Sequence, residues 1–343
     1  MRDQFLALIG ALVAVIGLGL APLWAQVVYR GSPQAPPDQR GAVSPKVPPA
    51  PRATPGATKW TQAKTPWGDP DLQGDWTGMT TTPLERPAEG REVITDPVEL
   101  ARLYDLNPEE TGRGVGTYNA FWREYGEPVA GQTSLIVDPP DGKLPPMTPE
   151  ARKIREAAAA RRNADGSERP PAGPEERSAR ERCLNWDILI QGSVSTWYRI
   201  VQTPGYVAVN QYRMHDMRLI PLDGRPHLPK DARAWVGDSR GHWEGNTLVV
   251  DTTNFDGKTN FQGTSANLHL VERYTRTSPD TIDYTATVDD PTVWTKPWTM
   301  RNPLRRDADG FYEYACHEGN HAMTGILSGA RADEKKAANR SLR

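Results

Sequence analysis

All six histidines of the chain fall between residues 215 and 321, so any imidazole chemistry belongs to its C-terminal part. The sharpest spacing among them is His317-Glu318-Gly319-Asn320-His321, which fits H-E-x-x-H. On a helix, positions i and i+4 aim two imidazoles at one zinc, with the glutamate as general base. Here Gly319 and Asn320 are poor helix formers, and the nearest downstream carboxylates are Asp333 and Glu334. Thr324 stands where the longer zincin pattern has glycine. The segment therefore reads as a helix-cap turn, with Glu318 near a helix N-terminus where its charge is favoured. No metal and no cofactor is expected. A metal-dependent hydrolase through His317, Glu318 and His321 is the minor alternative, and His317 and Glu318 stand as candidate ligand contacts.

The second constellation is His215-Asp216-Met217-Arg218. On a strand, His215 shares a face with Met217 and Leu219, and Asp216 shares the other with Arg218. Burial and a neighbouring carboxylate are the conditions that tune a histidine as a base, although a satisfied core histidine has the same surroundings. A third group lies on residues 268–276, where Leu268, Leu270 and Tyr274 share an apolar face with Glu272. A carboxylate on an inward face is paired or functional, because leaving it unpaired in a dry core costs several kcal/mol. Arg218, Arg273, a buried water or a ligand group could answer it. His269 is next to this face in sequence. The candidate catalytic residues are thus His215, His269 and Glu272, and the candidate ligand contacts include Arg218 and Tyr274.

The elements that must position these groups are mostly strands. Alternation and turn residues place strands at 198–202, 206–212, 215–220, 232–237, 247–253, 268–276, 281–288, 295–300 and 311–315. Turn chemistry recurs between them, as in Glu244-Gly245-Asn246 and Ser278-Pro279-Asp280. Residues 237–247 read as a hairpin whose Asp, Arg and His serve turn hydrogen bonds. In 281–288, Ile282, Tyr284, Ala286 and Val288 share one face, which marks a half-buried antiparallel strand. Thr148-Pro149-Glu150 opens a short inserted helix, and a second helix closes the chain between about residues 319 and 338. With no helices between most strands, the fold class is mainly β: an antiparallel, barrel-like meander with an inserted helix and a C-terminal helix.

Composition bounds the rest. The chain has 343 residues and a net charge of -2, so no field favours nucleic acid or anionic lipid. Residues 5–25 carry no charge and resemble a signal peptide, although 21 uncharged residues could also span a bilayer as an anchor. Residues 26–66 hold nine prolines and read as a semi-extended linker. The organisation is therefore 1–25 signal peptide or membrane anchor, 26–66 linker, and 67–338 a single β-rich domain with a polar insertion at 139–182. Only Cys183 and Cys316 are present, and on the exported side they are expected to form a bridge. The expected location is periplasmic or secreted, with membrane contact only through an uncleaved leader. P-loop, G-x-G-x-x-G and C-x-x-C patterns are missing from the sequence, and Gly237-Asp238-Ser239-Arg240-Gly241 falls in the predicted hairpin and not on a strand-to-helix nucleophile elbow, so nucleotide cofactors and α/β-hydrolase chemistry have no support.

Several of these segments together resemble a large family of uncharacterised exported bacterial proteins. The resemblance rests on Trp67–Trp76, on Thr133–Gly142, on Trp243–Phe255 (read as WEG-TLVVDTTNF) and on Tyr312–Asn320 (read as YEYACHEGN), and it runs from residue 66 to 332. It implies no established activity, and it implies tyrosine where this chain has His321, so H-E-x-x-H departs from the family pattern. Gly74-Asp75-Trp76 is similar to the G-x-W opening of lipocalin-type barrels. That second resemblance implies an interior cavity for a small apolar or mixed molecule. The expected function is a small-molecule-binding barrel. The alternative is a cofactor-independent lyase, isomerase or hydrolase with a histidine base and Glu272 as partner.

Overall fold

Strand formation follows the period-2 pattern of the C-terminal half. In the computed structural model, which describes residues 60–87, 126–159, 170–186, 188–189, 196–258, 261–310 and 313–341, eleven strands form one sheet. They are β1 (Gly74–Thr77), β2 (Ile136–Asp138), β3 (Trp197–Thr203), β4 (Tyr206–Gln211), β5 (Met217–Pro221), β6 (Asp238–Glu244), β7 (Thr247–Thr253), β8 (His269–Ser278), β9 (Thr281–Asp289), β10 (Trp298–Arg301) and β11 (Leu304–Arg306). The main path runs β5-β4-β3-β1-β11-β9-β8-β7-β6, and β10 joins β2 to β9 beside it. Every pairing between these strands is antiparallel. The sheet curls until β5 and β6 meet, giving a nearly closed barrel. Two helices flank it, α1 (Pro149–Ala159) and α2 (Ala322–Ser341). Among the described residues, no helix is long and apolar enough to cross a membrane.

The alternation predicted for β9 is observed, with Ile282, Tyr284, Ala286 and Val288 buried and their neighbours part-exposed. On β8 the inward set is Leu270, Glu272 and Tyr274. The β6–β7 hairpin turns at Gly245-Asn246 as expected. Thr148 caps α1 by accepting the Ala151 N–H at 3.1 Å. Gly74 and Trp76 act together: Gly74 sits at φ +137°, where a Cβ would come within 3.1 Å of the Arg306 guanidinium. Without that Cβ, Arg306 reaches the face of Trp76, 5.6 Å from its centroid, while the indole N–H donates to Leu72 O at 3.0 Å.

Other expectations are corrected. Residues 232–237 form no strand, only a single bridge from Ala234 to Phe255, within a long connection held by side chains. His215 is not on a strand either. It ends a short 3-10 turn at positive φ, and β5 begins two residues later. On β5, Arg218 and Ile220 point inward, as a partner for Glu272 requires, while Met217 and Leu219, the apolar residues grouped with His215, are 58% and 55% exposed. Residues 313–315 carry no strand, and 311–312 lie outside the described residues. The leader and residues 26–59 of the linker also lie outside them. Residues 60–66 are packed: Gln62 is buried and its amide donates to Asp71 O at 2.9 Å, so the ordered domain opens earlier than proline content implies. Cys183 and Cys316 are bonded with Cα atoms 5.8 Å apart, within the range the bond requires.

The path contains nine strands, each antiparallel to the next. Direction alternates along such a path, so the two end strands, β5 and β6, run the same way where they meet. They share no ladder among the described residues, and side chains close the seam instead. Gly241 on β6 provides the room, since a Cβ there would lie 2.7 Å from Ile220 Cγ2 and 2.8 Å from Leu222 Cδ2. Substitution of Gly241→Val should therefore overpack the seam and lower the unfolding free energy by about 1–3 kcal/mol. Urea unfolding followed by Trp fluorescence measures this, and an unchanged midpoint would show that the strands do not meet there.

Candidate functional site

Arg218 projects from β5 into the barrel, and Glu272 projects from β8 on the facing wall. The two form a forked pair across the lumen, with Arg218 Nη1 on Glu272 Oε2 and Nη2 on Oε1 at 3.0 Å. Their side chains are 2% and 1% exposed. Two phenols complete the cluster: Tyr274 OH and Tyr284 OH donate to Glu272 Oε1 at 2.9 and 2.8 Å. Arg218 Nη2 also donates to Tyr274 OH at 3.1 Å. Burial first, then the Glu272 charge, pushes both phenols well above their usual range, so they remain donors. Burial works against the Arg218 charge, but Glu272 outweighs it and the guanidinium is held even more firmly protonated.

The structure thus brings together three of the residues singled out from sequence, Arg218, Glu272 and Tyr274. Arg273, the other arginine considered as partner, points outward to Glu244 at 2.6 Å. Tyr284 was legible only as an inward residue on β9; its contact with Glu272 needs the β8–β9 register, which sets Tyr274 opposite Tyr284.

An ion pair this complete needs no further partner, yet polar atoms are left over beside it. Arg218 Nε is buried and makes no hydrogen bond. Gln211 is fully buried on β4, and its Oε1 is likewise unmet. Val209 lies directly opposite Arg218, so Gln211 is its diagonal neighbour, a spacing of roughly 7–8 Å. The Gln211 amide donates to Ile188 O at 3.0 Å, which ties β4 to the segment that precedes β3. Asp216 holds the same segment, accepting Asn185 Nδ2 at 2.6 Å and Trp186 N–H at 3.1 Å. Ile188 and Leu189 are buried in the core.

The histidines are elsewhere. His215 is exposed, and His317, Glu318 and His321 are exposed around the turn that precedes α2. That turn is capped by Asn320, whose Oδ1 accepts the Ala322 N–H at 3.0 Å, so the two histidines do not share a helix face. His317 does line a surface groove of about 280 Å³ beside Cys183, with Arg182, Asn320 and Met323. His269 is on β8 but faces outward, on the side of the sheet opposite to Glu272. The geometry therefore does not place a histidine base next to Glu272.

What His269 joins was not foreseen. Its Nε2 lies 2.7 Å from Asp251 Oδ2 on β7, and Asp251 Oδ1 lies 2.9 Å from His227 Nε2. His227 Nδ1 in turn meets Asp238 Oδ2 on β6 at 2.9 Å, and Asp238 Oδ1 accepts Arg240 Nη1 at 2.6 Å. The hydrogen bond to Asp251 raises His269 above the usual histidine range, and the same bond first lowers Asp251. No group of three or more ligating side chains among the described residues is arranged to hold a metal ion.

The fold and this site define a nearly closed antiparallel barrel with a charged crossbeam in its lumen. No family model matches the chain, and neither does any curated protein or any solved structure.

Two measurements test the electrostatics. Glu272→Gln should cost about 3–5 kcal/mol of stability, because it strands a buried guanidinium. Combined with Arg218→Met it should cost less than the sum of the singles by about 1–3 kcal/mol, and additive losses would argue against the crossbeam. For the outer pair the signs are opposite at the two ends of the pH scale. The Asp251 contribution is complete above about pH 4 and is lost as pH falls through its lowered value. The His269 contribution is complete below about pH 6.5 and is lost as pH rises through its raised value. The stability difference between the protein and His269→Gln should therefore be greatest between these limits. It should stay under about 1 kcal/mol, since both side chains are about two-fifths exposed.

Proposed function

We propose that this chain is a small-molecule-binding barrel protein that works outside the cytoplasm, taking an apolar ligand with a neutral polar end. The observation that carries the reading is the pair of unmet buried atoms beside the crossbeam, Arg218 Nε and Gln211 Oε1. Buried polar groups in native proteins are nearly always satisfied, by protein, water or ligand. One donor and one acceptor set diagonally fit a hydroxyl or a primary amide. The charge of Arg218 is already matched by Glu272, so an anionic head would enter the lumen uncompensated. The surrounding walls are apolar, with Ile200 on β3, Val207 and Val209 on β4 and Ile220 on β5. The single disulfide supports an oxidising compartment, in keeping with the leader-like residues 5–25. The acid–base reading loses its support, because the outward His269 and the exposed His215 leave Glu272 without a base.

Titration with N-phenyl-1-naphthylamine, a neutral fluorescent probe, tests this. Saturable one-to-one binding is expected, with displacement by 1-decanol at least about tenfold better than by decanoate near neutral pH. That factor corresponds to about 1.4 kcal/mol, the scale of one buried hydrogen bond. Gln211→Leu should erase most of the preference. Absence of saturable binding would overturn the function, and equal competition by decanoate would overturn the ligand class.

A further inference from the structure

A parallel seam cannot be joined by a hairpin. The chain must travel back along the barrel from the end of β5 to the start of β6, and residues 222–237 do so as a strap on the outside. Backbone and side chains bind this strap to the sheet. Ala234 N–H donates to Asn254 O at 3.0 Å, Asn254 Nδ2 donates to Leu228 O and Pro229 O at 3.0 Å, and Arg233 Nη1 donates to Phe255 O at 2.8 Å. Leu228 N–H donates to Asp238 Oδ2 at 2.9 Å.

His227 links the strap to both β6 and β7. A carboxylate oxygen meets each of its ring nitrogens at 2.9 Å, one from β6 and one from β7. Carboxylates only accept, so both bonds form together only when both nitrogens carry hydrogen. Around this ring the facing charges are Asp238 and Arg240 from β6, Asp251 from β7, His269 from β8 and Asp289 beside His269 from β9. On the strap, Asp223 and Arg225 pair with each other, and Lys230, Asp231 and Arg233 complete its charges. With both imidazoles protonated, three cations balance the three carboxylates on the sheet.

We propose that the His227 imidazolium is a proton-dependent latch: it pins the strap over β6 and β7, and its deprotonation frees the strap and loosens the β5–β6 seam. Loss of one proton leaves a nitrogen lone pair facing a carboxylate and leaves Asp238 and Asp251 short of a cation between them. The strap is continuous with both seam strands, and Leu222 at its root packs against the position of Gly241. Release therefore acts on the one joint of the barrel without a ladder. The latch stands on this geometry alone; its consequence for ligand entry rests on the lumen reading above.

Amide hydrogen exchange followed from about pH 5.5 to about pH 8.5, corrected for intrinsic rates, tests it. The Leu228 and Ala234 amides should lose protection by up to about tenfold per pH unit, the limit for one proton, while β8 amides stay protected. Ring-nitrogen NMR should show both His227 nitrogens protonated in the latched state. His227→Gln should give low strap protection at every pH with β8 unchanged. Flat strap protection, strap and β8 amides moving together, or a His227→Gln protein indistinguishable from the parent would each overturn the latch. The association rate of N-phenyl-1-naphthylamine should rise with strap release. A constant rate alongside pH-dependent exchange would overturn the gating role alone, and equilibrium titration judges the lumen reading separately.

Discussion

The Arg218–Glu272 pair constrains more of this structure than any other contact. Either charge alone in the lumen would carry a desolvation penalty of several kcal/mol, and only the facing wall can supply its partner. A one-residue slip of β5 or β8 would carry its charge to the outer face and leave the other buried without a counterion. The pair therefore selects the register of two strands that are not neighbours in the sheet, and with it the degree of curl that brings β5 round towards β6. Its worth is in specifying one closure; apolar residues of similar volume would stabilise the core as well or better. Tyr274 and Tyr284 extend the same logic, since each phenol needs an acceptor once buried and Glu272 Oε1 serves both.

A second constraint is one of parity. Nine antiparallel strands in a closed path cannot alternate direction all the way round, so one joint must be parallel. Nature of the joint then dictates the connection: a long strap, with polar backbone groups that must be met outside the sheet. Asn254, Arg233 and Asp238 meet many of them. The outer faces of β6 and β7 carry Asp238 and Asp251 where the strap's His227 reaches them, with His269 of β8 behind Asp251, rather than the threonine-rich pattern seen on β9.

Much of the barrel was legible because period-2 alternation is a direct consequence of one buried face. β9 and β8 follow it residue for residue, and the inward Glu272 could be singled out by being the one polar group in an apolar series. The cysteine pair was legible for a similar reason, as the only two thiols in the chain. β5 was misleading because its pattern is inverted by an ion pair: Met217 and Leu219 are the apolar residues and lie outside, while Arg218 lies inside against Glu272. Hydropathy assigns such a strand to the wrong face unless the counterion is known. β11 is three residues with two arginines, too short and too polar to show a period. The outer network was not legible at all. His227, Asp238, Asp251 and His269 are spread over four elements, and only the strand order places them together.

The two polar networks also differ in what they can respond to. The crossbeam is buried, and its charges are matched at hydrogen-bond distance, so moderate salt screens it little. The outer network is part-wetted: the side chains of His227, Asp251 and His269 are between 28% and 42% exposed. Its carboxylates are balanced largely by imidazoles, the one cation type that is lost near neutrality. The two networks thus divide the work of closure: the crossbeam holds the register of β5 and β8 from inside, and the outer network holds the connection between β5 and β6 from outside. An even number of antiparallel strands could close without a parallel joint, and the odd count is what makes a long connection there structurally necessary.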